Sequence, residues 1–439
     1  LDYKVFGCKT NKYFAEKWLV HPHLSDKSGY FIASCVVTDK AKAKWIKHAK
    51  KILPKIEDGE KLFLSGCGNI RDGVVDPRFF EVYSELADYK DHIEILPEDP
   101  DDFQITGEEK KEMMRTKIRS LRKIAGKELF TKKYMVIQTG CDNFCTFCLT
   151  VQARGRHKWR PMEEIISEIH TFVEGGGKEV VFTGINLGAW GATSSNNYEE
   201  SRFVELVETV LEKTQLERLR ISSLGVEFVS DKVIELFRNP RINAYAHLSI
   251  QSGSSNILKA MNRHYDGKRV REVLGKLRLL DRDDGITLNI GADLIVGFPG
   301  ETEEDFLDTI EIVEKYGITQ LHAFPFSAHL DHYSVPAGKF DNQVPNLIAQ
   351  KRLKKLLKTG EEVFENFAKT HREKPLSVLI EKVDGLHFSG WSENYLLCSD
   401  ENFIPFPGQE IARGKILEGT YQKLIKKSSN TFEDGEVIS

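Results

Sequence analysis

The chain has no long hydrophobic run. Nowhere in its 439 residues does an uninterrupted apolar stretch approach the roughly 18 residues of a membrane-crossing helix, which excludes a helical span. Its start lacks a secretory leader: Leu1-Asp2-Tyr3-Lys4-Val5-Phe6-Gly7 reads as a strand entering a glycine turn, and the missing initiator Met suggests a trimmed terminus. Cysteine is scarce, seven in all. That excludes a disulfide framework and suits a reducing interior, where thiols bind metals or catalyse. Strong net charge is also lacking, since 62 Lys and Arg stand against 66 Asp and Glu. A balance of −4 does not announce a nucleic-acid binder. What is left, 40% hydrophobic and 29% charged, is the composition of a globular protein long enough for two or three domains.

The charge is unevenly spread. Eight Lys and Arg fall between Lys110 and Lys127, behind the acidic Glu98, Asp99, Asp101 and Asp102, and a second basic run extends from Lys351 to Lys358. Such stripes either neutralise phosphates or form the solvated faces of helices. Composition leaves both readings open.

Three of the seven thiols share one short loop, Gly140-Cys141-Asp142-Asn143-Phe144-Cys145-Thr146-Phe147-Cys148. Iron–sulfur clusters are normally held by four Cys, so a compact trio leaves one iron open to a small molecule. Zinc sites instead pair C-x2-C elements and close with a fourth ligand. The C-x3-C-x2-C spacing, with Phe147 before the third Cys, resembles the signature of the radical S-adenosylmethionine (SAM) superfamily.

Three more Cys end apolar, strand-like runs: Tyr3 to Cys8, Tyr30 to Cys35 and Leu62 to Cys67. The second run leads past Thr38, an N-cap, into a Lys-rich amphipathic helix over Asp39 to Leu53 with Trp45, Ile46 and Ala49 on its apolar side. Strand–helix alternation predicts a parallel sheet, whose strand carboxyl ends bind ligands. Any one of these Cys reads as a small core residue; three in equivalent places point to a second three-thiolate cluster.

Pro97 to Gly107 reads as a linker and Glu108 to Leu129 as a basic helix. Strands follow near Tyr134–Gln138, Glu179–Thr183, Arg218–Ser222, Ala244–Ile250, Thr287–Val296 and Gln320–Pro325, with helices between. Six strands are too few for a closed eight-stranded barrel, and a partial barrel fits. His247, within Tyr245-Ala246-His247-Leu248, reads as a hydrogen-bonded core histidine rather than a ligand. After a Lys-rich helix over Leu347 to Ala368, short strands near Ser377–Val383, Asn394–Ser399 and Thr420–Ile425, with turns at Gly385, Gly390, Gly408 and Gly414, suggest a small β-barrel. Cys398 lies in its core.

Together these motifs resemble the methylthiotransferase family of radical SAM enzymes over nearly the whole chain. They are Gly7-Cys8-Lys9-Thr10-Asn11, the Gly140–Cys148 loop, Arg154-Gly155-Arg156, Thr183-Gly184, His247 to Ser254, Met261-Asn262-Arg263, Asp293 to Thr302 and Glu393-Asn394-Tyr395. Gly-Cys-Lys-x-Asn is most similar to the branch modifying N6-threonylcarbamoyladenosine beside the tRNA anticodon; the isopentenyladenosine branch usually has Gln-Met-Asn there, and the ribosomal-protein branch Pro-Lys-Asn. The chain departs from the family at Ser222-Ser223-Leu224-Gly225-Val226, where Ser-Ser-(Ile/Leu)-Glu-Pro is usual, and at Ser327 to Tyr333, where Ser-x-Arg-x-Gly-Thr is usual.

The resemblance implies an α/β architecture: an amino-terminal parallel α/β domain (1–107), a partial (β/α)6 radical SAM barrel (108–371) and a small all-β TRAM-like RNA-binding barrel (372–439). It implies two 4Fe–4S clusters. One, on Cys141, Cys145 and Cys148, reduces SAM to a 5′-deoxyadenosyl radical, chemistry that belongs to cofactors while the protein positions them. The other, on Cys8, Cys35 and Cys67, carries the sulfur, methylated by a second SAM. Phe147, Thr183, Gly184, Ser222, Gln251 and Asp293 are expected near SAM. Arg154, Arg156 and Arg160, with Trp159, either grip RNA or form ordinary salt bridges. The implied partners are a tRNA anticodon stem-loop and an electron donor such as flavodoxin or ferredoxin, with a cytoplasmic location and no membrane. The competing readings are action on isopentenyladenosine or a ribosomal protein, and a non-catalytic iron–sulfur RNA-binding protein.

Overall fold

A computed structural model describes residues 1–103, 131–329 and 334–424. The expected basic helix over Glu108–Leu129 and the departure at 330–333 lie outside the described residues. Among the described residues no helix is long and apolar enough to cross a membrane.

The amino-terminal sheet is parallel, with β1 (Asp2–Val5), β2 (Gly29–Ser34), β3 (Lys61–Gly66) and β4 (Ile93–Ile95) side by side in chain order. Alternation along β2 and β3 sends Phe31 and Phe63 to one face and Ile32, Leu62 and Leu64 to the other. Helix α1 (Lys9–Leu19) buries Ala15 and Trp18 on the first face, and α2 (Asp39–Ile52) buries Trp45, Ile46 and Ala49 on the second. Thr38 caps α2 as expected, its Oγ1 accepting from Ala41 N at 3.1 Å. The three-residue strand β4 is too short to carry a pattern and was not expected. The linker reading fails for Pro97–Phe103: the Pro97 carbonyl accepts from Trp18 Nε1 (3.0 Å) and Ser65 Oγ (2.8 Å), and Glu98 is buried.

Six parallel strands form the second unit: β5 (Lys133–Val136), β6 (Glu179–Thr183), β7 (Arg218–Ile221), β8 (Tyr245–Gln251), β9 (Asn289–Val296) and β10 (Ile318–Pro325). Two three-stranded sheets, β5-β6-β7 and β8-β9-β10, are joined by parallel bridges Leu219–Ile242 and Leu224–Leu248. The expected partial barrel is present. Its outward residues, among them Met135, Phe182, Leu219, Leu248, Leu294 and Ile318, pack with the surrounding helices into the main core. The lumen is therefore left to the alternate, largely polar set.

The barrel's open side is covered by the first domain. Tyr13 and Phe14 of α1 pack on Tyr134, Val136 and Val181, which point inward. One helix thus serves two layers.

Helix α3 (Asn346–Thr370) lies along β10 and leads to a five-stranded antiparallel sheet in the order β13 (Leu397–Ser399), β12 (His387–Ser392), β11 (Pro375–Asp384), β15 (Ile416–Tyr421), β14 (Phe403–Pro405). It is a half-barrel, and Cys398 is in its core. Gly390 is not a turn residue: it lies within β12, where a Cβ would meet the Leu379 carbonyl oxygen at 2.0 Å. Asn394–Leu396 is likewise not strand. Tyr395, in the left-handed region at φ 67°, reaches the amino ends of the barrel strands, where Arg220 lies 3.6 Å from its ring centroid and Asn289 Nδ2 donates to the Asn394 carbonyl at 2.8 Å. The sheet forms the barrel's floor, opposite its strand carboxyl ends.

Candidate active site

Cys8, Cys35 and Cys67 each follow a strand carboxyl end, so a parallel sheet brings them to one edge. The turns that carry them are tight. A Cβ on Gly7 (φ 98°) would meet Cys35 Cβ and Sγ at 2.8 Å, and one on Gly66 (φ 99°) would meet the Ser34 carbonyl oxygen at 2.5 Å. Asn11 lies between these turns, with its Nδ2 donating to the Phe6 (2.8 Å) and Ser34 (2.6 Å) carbonyls. That is the structural reason for Asn in the Gly-Cys-Lys-x-Asn run, a role the sequence reading missed. Cys8 is exposed, while Cys35 and Cys67 are buried. The hydrogen bond from the Cys35 thiol, aided by the nearby Arg154 guanidinium, draws Cys67 down to about 7 against the effect of burial. That bond pushes Cys35 up. A thiol set with one member already easily ionised suits a metal cluster, which binds thiolates.

The loop of Cys141, Cys145 and Cys148 is held from three sides. Backbone N–H groups of Asn143 and Thr150 point at Cys141 Sγ and Cys148 Sγ, both at 3.4 Å, and Arg263 Nη1 lies 3.3 Å from Cys145 Sγ. Burial pushes the Cys145 thiol up to about 11, against Arg263. Donors aimed at sulfur fit a thiolate-bound cluster. Gly140 (φ 66°) permits the close approach of the Arg156 carbonyl, 1.8 Å from where a Cβ would stand. Met261-Asn262-Arg263 grips the loop: Thr146 N donates to the Met261 carbonyl (3.1 Å), and Asn262 Nδ2 to that of Asn143 (3.0 Å). Ser195, fully buried, accepts from Asp142 N at 2.6 Å and donates to Cys141 Sγ at 3.6 Å. Ser195 was not singled out from the sequence.

The departure at Gly225 has a local answer. Glu227 accepts from Asn143 Nδ2 (3.1 Å) and Arg263 Nη2 (3.3 Å), and its Oε2 lies 2.5 Å from where a Cβ on Gly225 would stand. A carboxylate two residues later occupies the space that a side chain at 225 would enter.

Inside the lumen, Asp293 Oδ1 faces His247 Nε2 at 3.0 Å and His322 Nδ1 at 3.3 Å, and its Oδ2 accepts from Ser223 Oγ (3.2 Å) and Ser249 Oγ (3.4 Å). Burial holds the His247 imidazole down to about 4, against the attraction of Asp293. His247 is thus a bonded interior histidine, as expected. His322 and the two serines were not singled out beforehand. Thr183, Gly184, Ser222 and Gln251 stand at strand carboxyl ends, with Gln251 at φ 70°. Phe147 packs against the cluster of Ile257, Met261, Phe298 and Ala337.

The three arginines divide. Arg154 is 5% exposed, and its Nε lies 2.8 and 3.1 Å from the two Glu98 oxygens while Nη2 donates to Asn11 Oδ1 (3.3 Å). It is a buried tie between domains, which corrects the RNA reading for this residue. Arg160 donates to Tyr13 Oη (2.9 Å), the Val136 carbonyl (3.1 Å) and Glu168 (2.9 Å), so packing also engages it. Arg156 is exposed, 4.9 Å from the Phe144 ring centroid, and Trp159 is 39% exposed.

Residues 135–313 match the pattern of the radical SAM superfamily. The threonylcarbamoyladenosine tRNA methylthiotransferase MtaB of Thermotoga maritima is 32% identical over 423 residues, which span 90% of this chain and 89% of that protein. The chain belongs to the radical SAM methylthiotransferases. The Rickettsia prowazekii MtaB is 29% identical across 94% of this chain and 92% of its own. A tRNA-2-methylthio-N(6)-dimethylallyladenosine synthase of Clostridium perfringens is 34% identical across 65% of this chain and 61% of its own. This radical SAM methylthiotransferase is therefore an enzyme, of a superfamily that works with a 4Fe–4S cluster and SAM.

Proposed function

We propose that the enzyme methylthiolates C2 of N6-threonylcarbamoyladenosine beside the tRNA anticodon, with a second cluster on Cys8, Cys35 and Cys67. The observation carrying this reading is the docking of the amino-terminal domain on the helix behind the radical loop. Asp72 N donates to the Gln152 carbonyl (2.8 Å), Gly73 N to that of Ala153 (2.9 Å), and Arg154 pairs with Glu98. These contacts hold the two thiol-bearing units against each other.

When bound, the cluster on Cys141, Cys145 and Cys148 supplies the electron that cleaves SAM, and the one on Cys8, Cys35 and Cys67 the sulfur. The chain's own residues do the rest. Arg263 and the Asn143 and Thr150 amides hold the first thiols, Asn11 and Arg154 brace the second, and α1 keeps water from the side of the lumen. Arg156 and Trp159 offer a cation and an aromatic face to a single-stranded loop, whose base leaves its stack at low cost. The Lys at position 9 supports the threonylcarbamoyl branch.

The test is anaerobic assay of the reconstituted enzyme on tRNA carrying threonylcarbamoyl- or isopentenyladenosine, with nucleosides read by mass spectrometry. Methylthio product from the first substrate alone, lost in Cys8→Ala, is expected. Product from the second substrate, or full activity of the variant, defeats the reading.

A further inference from the structure

The lumen holds polar side chains beyond those the sequence set near SAM, on a strand the motifs left unassigned. His322 and Gln320 project inward from β10, opposite Asp293 and Gly291 in register. The hydrogen-bond pattern assigns the His247 tautomer. Tyr245 Oη lies 2.7 Å from His247 Nδ1, so a neutral His247 accepts there and donates from Nε2 to Asp293. His322 Nδ1 lies 3.3 Å from the same carboxylate, which turns Nε2 away from it on a side chain 29% exposed. Gln320, 1% exposed, has neither amide atom partnered. A buried amide without partners is costly, so water or a ligand is expected to meet it.

A cation comes from the other domain. Lys12 Nζ lies 5.0 Å from the centroid of the inward-facing Tyr134 ring, which turns this side of α1 to the lumen, and Lys9 is three residues earlier on the same side. The charge of Lys9 reaches His247 and helps to hold its imidazole neutral.

Resting on the function proposed above, the geometry points to Lys9 and His322 as the specificity-determining pair: Lys9 pairs with the carboxylate of the threonylcarbamoyl arm, and His322 Nε2 accepts from one of the arm's N–H groups. The chemistry favours this substituent over a prenyl one. A carboxylate leaving water needs a partnered cation, and the arm's amide and hydroxyl groups can meet His322 and Gln320. An isopentenyl group offers only carbon, and against His322 Nε2 and Gln320 it would leave polar groups unpaired. Both residues are specificity determinants that touch substrate, not sources of the radical.

The test uses the anaerobic holoenzyme and three anticodon stem-loop RNAs, bearing threonylcarbamoyladenosine, its carboxylate methyl ester, or isopentenyladenosine. Dissociation constants come from fluorescence anisotropy, kcat and KM from product mass spectrometry, and iron content checks that each variant carries its clusters. Lys9→Gln is expected to weaken binding and raise KM about tenfold for the acid RNA but not for the ester, and Lys9→Arg to restore the preference. His322→Phe is expected to weaken acid and ester alike and to spare the isopentenyl RNA. Equal losses for Lys9→Gln on acid and ester, or none, overturn the pairing. A wild type that methylthiolates only the isopentenyl RNA overturns the proposed function and this inference together. A wild type that selects the acid while Lys9→Gln keeps that selectivity overturns the inference alone.

Discussion

Arg154 reaches from the helix behind the radical loop to Glu98 of the amino-terminal domain, with Nε 2.8 Å from Oε2, and both side chains are buried. Removing one member of such a pair leaves an uncompensated charge, at about 3–5 kcal/mol. Arg154→Met is therefore expected to lower the urea midpoint by that equivalent and to lose iron from the cluster proposed for Cys8, Cys35 and Cys67. The Glu98→Leu/Arg154→Met double variant recovers most of the stability, because neither charge is then stranded.

His247 gives the protein an acid-sensitive step. Its folded pKa of about 4 lies below the roughly 6.5 of an unfolded histidine, so the unfolded chain binds the extra proton first. Stability from this group is complete above about pH 6.5 and falls by about 3 kcal/mol as pH drops towards 4. Anaerobic thermal unfolding at pH 7, 6 and 5 should show the slope, and His247→Phe should flatten it.

RNA binding should separate the surface residues from the buried arginine. Trp159→Ala is expected to weaken anticodon stem-loop binding by about 1–3 kcal/mol, and Arg156→Ala to reduce the slope of log K against log salt by about 1. A cluster-loaded Glu98→Leu/Arg154→Met protein should keep the wild-type slope. Anisotropy titrations at several salt concentrations decide both points.

Glu227→Gln removes the negative partner of Arg263 while keeping the shape of the side chain. Arg263 then turns its charge more fully on Cys145, and the bracing of the loop through Asn143 weakens. Iron at Cys141, Cys145 and Cys148 should be lost to a chelator several-fold faster, as followed by the visible absorbance of the cluster.

Tyr395→Ala takes away the ring against which Arg220 rests and opens the barrel floor. Loss of a large buried aromatic costs about 3–5 kcal/mol, and its cation–π contact adds to that. A lower melting temperature with an unchanged far-ultraviolet spectrum at ambient temperature is the expected result.

The six barrel strands and the two thiol trios were legible because alternation and strand-end position are local signals. Tyr245-Ala246-His247-Leu248-Ser249-Ile250-Gln251 even carries the lumen in its period, apolar residues outward and polar ones inward. The roles of Arg154 and Arg160 were not legible. Their partners, Glu98 and Tyr13, are distant in sequence, and a run of Arg beside Trp has the same composition whether it faces RNA or a neighbouring domain. Ser195 and His322 were hidden for a related reason: each owes its place to a residue on another strand or loop. The half-barrel's β14 gave too few residues for a period to register, and β12 was hidden by reading Gly390 as a turn.

Because Tyr13 and Phe14 rest on Tyr134, Val136 and Val181, the catalytic unit has no natural seam at the end of the first domain. A fragment beginning at residue 131 would expose those three inward side chains and flood the lumen from the side, so the barrel is not a minimal enzyme that can be cut free. Any swap of amino-terminal domains between relatives must carry the α1 contact face with it.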